Sequence, residues 1–221
     1  MNAEDPIGIF DSGIGGLTVA YAINKVLPNE KIIYFGDTQH LPYGNKSIEK
    51  IQNYSIQIVD FLLKKKCKAI IIACNSASSV AYQKIIKKVE NKVVVFDVIN
   101  PVINYISTRK HIQHIGVIGT NATIHSGVYK THINNLRKDI KVSSLATPLL
   151  ASLIEEDDKK LYQKGIIESY LEHNKLKNID SLILGCTHYP LIEKQINDFY
   201  SRKVEIISAI KYIGQNVKEM L

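Results

Sequence analysis

Short β-rich runs, most of them continuously apolar, recur along this chain at residues 7–10, 32–35, 69–73, 93–98, 115–118, 181–184 and 204–207. Between them, residues 17–26, 48–63, 78–89 and 161–173 carry apolar side chains at three- and four-residue spacing. Strands buried on both faces read as continuous apolar stretches, whereas a surface helix shows a 3.6-residue period. Alternation of the two predicts a layered α/β protein with parallel sheets.

Two of the runs come back in the same order. Ile7-Gly-Ile-Phe-Asp-Ser12 is echoed by Ile115-Gly-Val-Ile-Gly-Thr120, and Ala69-Ile-Ile-Ile-Ala-Cys74-Asn-Ser76 by Ser181-Leu-Ile-Leu-Gly-Cys186-Thr-His188, at nearly equal offsets. Repetition of this kind predicts two similar α/β lobes. Asn100-Pro101 is the expected crossover, because the residue before proline avoids helix. The expected division is 1–98 plus 208–221 for the first lobe and 99–207 for the second, with the helix-like tail from Ile210 packing back on the first.

Composition excludes several classes. With 45% hydrophobic and 22% charged residues in 221, the chain is neither disordered nor low in complexity. The net charge is +7, but arginine occurs only at Arg109, Arg137 and Arg202. Scattered lysine is mainly solvated surface, so no nucleic-acid partner is expected. Lys64, Lys65, Lys66 and Lys68 read as a solvated helix end. Met1 to Pro6 has no signal-like character and no apolar run is long enough to span a bilayer, so no membrane association and a cytoplasmic location are expected. Three widely spaced cysteines, Cys67, Cys74 and Cys186, suit neither a disulfide framework nor a zinc site, so no metal is expected.

Open α/β sheets bind ligands at the carboxyl ends of their strands. The residues there are Asp11-Ser12, Cys74-Asn75-Ser76 and Cys186-Thr187-His188. A cysteine between a strand and a helix N-terminus feels the positive end of the helix dipole, which is expected to lower its pKa. Asn75, Ser76 and Thr187 are candidate caps. His188 can orient or exchange a proton with Cys186, and Asp11 can do so beside Cys74. Ser12-Gly-Ile-Gly-Gly16 lacks dinucleotide-binding spacing, and its glycines instead admit backbone amides to a carboxylate or cap a helix. Asp37 and Pro42-Tyr43-Gly44-Asn45 read on their own as turns. Cys67 lacks a strand-end context and reads as structural.

Gly8-Ile-Phe-Asp-Ser-Gly-Ile-Gly-Gly16, Tyr34-Phe-Gly-Asp-Thr38 with Pro42-Tyr-Gly44, Ala73-Cys-Asn-Ser-Ala77, Ile115-Gly-Val-Ile-Gly-Thr120 and Leu184-Gly-Cys-Thr-His-Tyr-Pro190 together resemble the glutamate branch of the aspartate/glutamate racemase superfamily. The resemblance implies a cofactor-independent racemase acting on glutamate for peptidoglycan synthesis, with its site between two α/β lobes and homodimers as the expected assembly. It implies catalytic roles for Cys74 and Cys186, assisted by Asp11 and His188. Substrate binding falls to Ser12, Tyr43, Gly44, Asn75, Ser76 and Thr187. Asp37 and Glu155 correspond to two further acids, Glu155 through Pro148-Leu-Leu-Ala-Ser-Leu-Ile-Glu155. The chain departs from the family pattern at Ser76, at residues 146–152 and at Ile207-Ser208.

Removing an α-proton from one face and delivering another to the opposite face requires two acid/base groups. The resemblance assigns D-glutamate to Cys74 and L-glutamate to Cys186. Racemisation of a related acid such as aspartate, a thiol hydrolase using one cysteine with His188, and a non-catalytic amino-acid-binding protein are alternatives left open by the residues alone.

Overall fold

The computed structural model describes residues 4–155 and 160–221, the side chains of 160–163 excepted. The opening Met1 to Ala3 lies outside the described residues. The first half of the chain builds strands β1 (Ile7–Asp11), β2 (Ile32–Gly36), β3 (Ala69–Ile72) and β4 (Val94–Asp97), with helices α1 (Leu17–Val26), α2 (Ile48–Lys64) and α3 (Asn75–Val89) between them. The second half contributes α4 (Asn100–Ser107), β5 (His114–Gly119), α5 (Asn121–His125), α6 (Val128–Leu136), β6 (Lys141–Ala146), α7 (Leu150–Glu155), α8 (Lys160–Leu171), β7 (Ser181–Gly185), α9 (Glu193–Phe199), β8 (Glu205–Ile207) and α10 (Ile213–Met220).

Each half forms a four-stranded parallel sheet, ordered β2-β1-β3-β4 and β6-β5-β7-β8. The repeated apolar runs are thus the two central strands of each sheet: β1 and β3 in one, β5 and β7 in the other. One hydrophobic core joins the lobes, with Ile9, Ile71 and Val102 packed together with Val117, Ile183 and Ile213. Two further cores lie beneath the outer helices, one per lobe.

The pattern of buried and exposed positions accounts for most elements. β3 and β7 are buried throughout. β6 was not expected from sequence: Lys141, Ser143 and Ser144 interrupt its apolar positions, and as a sheet edge it stays partly exposed. Asn100-Pro101 does lie between the strands of the two sheets, but not as extended chain. Both residues are helical, with Pro101 in the first turn of α4, where its missing N–H costs nothing. The Asp97 carboxylate caps that turn through the amides of Ile99 and Asn100 at 2.6 and 2.8 Å. Lys64, Lys65 and Lys66 end α2 in solvent, Lys66 adopting φ 59°, whereas Lys68 is largely covered and pairs with Glu30 at 2.6 Å. Cys67 is buried in the outer core of the first lobe. The C-terminal α10 packs on α1, where Gly214 is close enough that a Cβ would lie 2.9 Å from the carbonyl of Ala22.

Candidate active site

The carboxyl ends of β1, β3 and β7 converge on one small cavity of about 40 Å³. Cys74 and Cys186 both line it, together with Ser12, Tyr43, Gly44, Asn75, Ser76, Thr187, His188 and Glu155. Ten of the twelve residues expected from the sequence therefore share one enclosed space; Asp11 and Asp37 stand behind it. Residues 42–45 reach the cavity as an extended Pro42 followed by a tight 3₁₀ turn, Tyr43–Asn45.

Cys74 is the N-cap of α3. Its sulfur accepts the amide of Ala77 at 3.5 Å and lies 3.6 Å from Ser12 Oγ. Asn75 and Ser76 do not cap α3. They belong to its first turn and reach the other lobe, Asn75 Nδ2 donating to Tyr129 Oη at 2.9 Å and Ser76 Oγ meeting Thr120 Oγ1 at 2.8 Å. Thr120 lines the cavity and was not singled out in the sequence, although the repeat aligns it with Ser12.

Across the cavity, Cys186 Sγ lies 3.6 Å from His188 Nδ1, and His188 Nε2 lies 2.6 Å from Glu155 Oε1. Glu155 ends α7, the helix that begins within the divergent 146–152 segment. Within that segment the buried Thr147 hydroxyl pairs with Tyr189 Oη at 2.6 Å. Pro190 opens a 3₁₀ turn, Tyr189–Ile192, in place of a full helix after Cys186.

The helix-dipole expectation for the thiols is overturned. Burial, reinforced by the charge of Asp11, pushes Cys74 up to about 12 despite the Ala77 amide. Burial first, then Cys74 and Asp11, lift Cys186 above the usual thiol range. Charge in so dry a site costs more than one capping amide returns.

Asp11 is fully buried. Its Oδ2 accepts the amide of Gly16 at 2.8 Å and that of Gly13 at 3.3 Å, at the N-terminus of α1, while Oδ1 has no hydrogen-bond partner among the described residues. The glycines of the 12–16 loop thus serve to seat this carboxylate. Burial raises its pKa, opposed by the Gly16 amide and the nearby His188. Asp37 faces neither thiol: it accepts Tyr43 Oη at 2.5 Å and pairs with His40.

The seam between lobes is tight at two glycines. A Cβ on Gly15 would sit 2.5 Å from His188 Cε1, and one on Gly44 2.6 Å from Thr120 Cβ. Among the described residues no group of three His, Cys, Asp or Glu side chains is arranged to hold a metal ion, and no helix is long and apolar enough to cross a membrane.

Two α/β lobes closing a pair of strand-end thiols into one cavity, beside His188 and Glu155, define a two-lobed enzyme of the racemase class. Residues 17–213 match the family described as Asp/Glu/Hydantoin racemase, and the chain belongs to that family. A glutamate racemase of Neisseria meningitidis is 45% identical over 89% of this chain and 73% of its own length. Among solved structures, glutamate racemase isoform RacE1 of Bacillus anthracis superposes with a TM-score of 0.93 at 35% identity, covering 100% of this chain and 82% of that one. A Francisella tularensis glutamate racemase in complex with D-glutamate gives 0.90 at 38% identity, covering 99% and 81%.

Proposed function

We propose that this protein interconverts L-glutamate and D-glutamate without a cofactor, by two thiols acting on opposite faces of the α-carbon. The observation that carries the reading is that Cys74 and Cys186, each at the end of a central strand, line the same cavity. One sulfur must be thiolate while the other is thiol, and the roles exchange with the hand of the substrate. Cys74 takes the α-proton of D-glutamate, Cys186 that of L-glutamate. His188, oriented by Glu155, exchanges protons with Cys186, and Asp11 acts on Cys74 through its charge. Ser12, Tyr43, Gly44, Asn75, Ser76 and Thr187 hold the ammonium and carboxylates.

Magnitudes support this division of labour. An ordinary thiolate falls short of the α-proton by on the order of ten pKa units, roughly 14 kcal/mol. A thiol raised by burial yields a stronger base and narrows that gap. Fixed donors in a dry cavity supply the rest, within the ~8–23 kcal/mol that enzymes provide.

On this reading the lobes that enclose the substrate are 1–98 with 208–221, and 99–207, and the product serves peptidoglycan synthesis in the cytoplasm. Light scattering checks the expected homodimer.

The deciding experiment is racemisation in D2O, with L- or D-glutamate as substrate and no pyridoxal phosphate or metal added. The native protein incorporates deuterium at the α-position as optical rotation decays. Cys74→Ala and Cys186→Ala each abolish racemisation. Near-native rates in both variants would refute the two-thiol mechanism, and an inert native protein would refute the activity itself.

A further inference from the structure

Among the described residues, His40 is an ionisable side chain bonded to a buried acid beside the cavity, yet it has no place in the chemistry above. Its Nδ1 lies 2.8 and 3.0 Å from the two carboxylate oxygens of Asp37. One of those two oxygens, Oδ2, also accepts the Tyr43 hydroxyl at 2.5 Å. The imidazole is clamped by a stack on Tyr54 of α2, centroids 4.0 Å apart and planes 18° apart, and Tyr54 in turn leans on Tyr43 at 5.9 Å. Asp37 is only 6% exposed, and Tyr43 is fully buried.

This arrangement controls one wall of the cavity. Leu41, Pro42, Tyr43 and Gly44 line it consecutively, and Gly44 is pressed against Thr120 of the second lobe. The segment contains no regular element beyond the 3₁₀ turn, so its position depends on what grips Tyr43. A buried carboxylate needs hydrogen-bond donors, and a side chain that supplies one fixes the geometry of everything bound to that carboxylate.

We propose that His40 is a positioning residue for substrate binding: by pairing with Asp37 and stacking on Tyr54, it holds the Tyr43 wall against the substrate. The inference rests on the reading of this cavity as the glutamate site. His40 touches neither thiol in this arrangement, so it governs substrate affinity and leaves proton transfer to the cysteines.

The test is steady-state racemisation with three variants of the full chain. His40→Phe keeps a ring on Tyr54 but has nothing to donate to Asp37, and is expected to raise KM ~10-fold, the scale of one lost hydrogen bond to a charged group, with kcat within about threefold of native. His40→Arg restores KM, since guanidinium both donates to a carboxylate and stacks on an aromatic face. In an Asp37→Asn background, His40→Phe adds no further increase in KM. Native KM in His40→Phe, failure of arginine to restore it, or additive losses in the double variant would overturn the proposal. Absence of glutamate racemisation in the native protein removes the underlying reading instead, and the proposal falls with it.

Discussion

At neutral pH a thiol raised to about 12, as Cys74 is, keeps its proton almost all the time. The rate from free enzyme and free substrate follows the fraction deprotonated. The expected pH profile of kcat/KM therefore climbs from pH 6 to 8 by up to ~10-fold per unit, and a flat profile would show that a thiolate is already formed at rest. Asp11 carries a stability consequence with the opposite sense to a salt-bridged acid. Its folded pKa lies above its unfolded one, so the native state holds the proton longer, and stability falls as pH rises from the unfolded value through the folded value and stays lower at neutrality. Asp11→Asn is expected to raise Tm at pH 7 by ~2–4 °C, on the order of 1 kcal/mol, with the gain vanishing near pH 3 and with racemisation sharply reduced. Calorimetry at the two pH values checks it. Glu155→Gln leaves His188 without its anionic partner and is expected to lower kcat/KM ~10- to 100-fold, equally from either enantiomer, because enantiomers of equal free energy constrain the two directions to one ratio. Polarimetry in both directions measures this.

Contacts between elements are sharpest at glycines, and three of them separate seam from surface. Gly15→Ala drives a methyl into His188, and Gly44→Ala drives one into Thr120. Each is expected to cut kcat/KM by at least ~100-fold, by displacing a reacting or binding group on the order of 1 Å. Gly165 in α8 has nothing within 4 Å of the place a methyl would take, so Gly165→Ala is expected to stabilise by ~1 kcal/mol and leave activity at the native level. Such contacts are invisible in sequence, where all three residues are equally glycine. What was legible came from burial on both faces: β1, β3, β5 and β7 announce themselves as apolar runs, and the cysteines, Asp11 and His188 stand where those runs stop. β6 escaped because an edge strand need not be apolar on both sides. Thr120 escaped because a threonine after a strand is ordinary until the repeat and the fold set it opposite Ser76. The thiol pKa values ran against expectation because helix termini can be read from a sequence, whereas the dryness of a closed cleft cannot.

At the scale of the whole molecule, the cavity around the thiols has a volume of about 40 Å³, room for no more than a few waters, so the lobes are expected to part for a glutamate to enter. The lobes meet where Asn45 contacts Asn121 and Ser76 contacts Thr120, which makes this seam the boundary expected to open. Hydrogen exchange should show these segments opening in the free protein and strongly protected with saturating D-glutamate, and equal uptake in the two states would refute opening as the route of entry. Parallel sheets of matching strand order set one thiol at the edge of each half of the molecule. A planar carbanion looks the same from above and below, and only something handed can tell its two sides apart. On the two-thiol reading, a chain that lays down one plan twice and faces the copies toward each other offers such an intermediate near-equivalent neighbours on both sides, so that neither mirror image need become a trap.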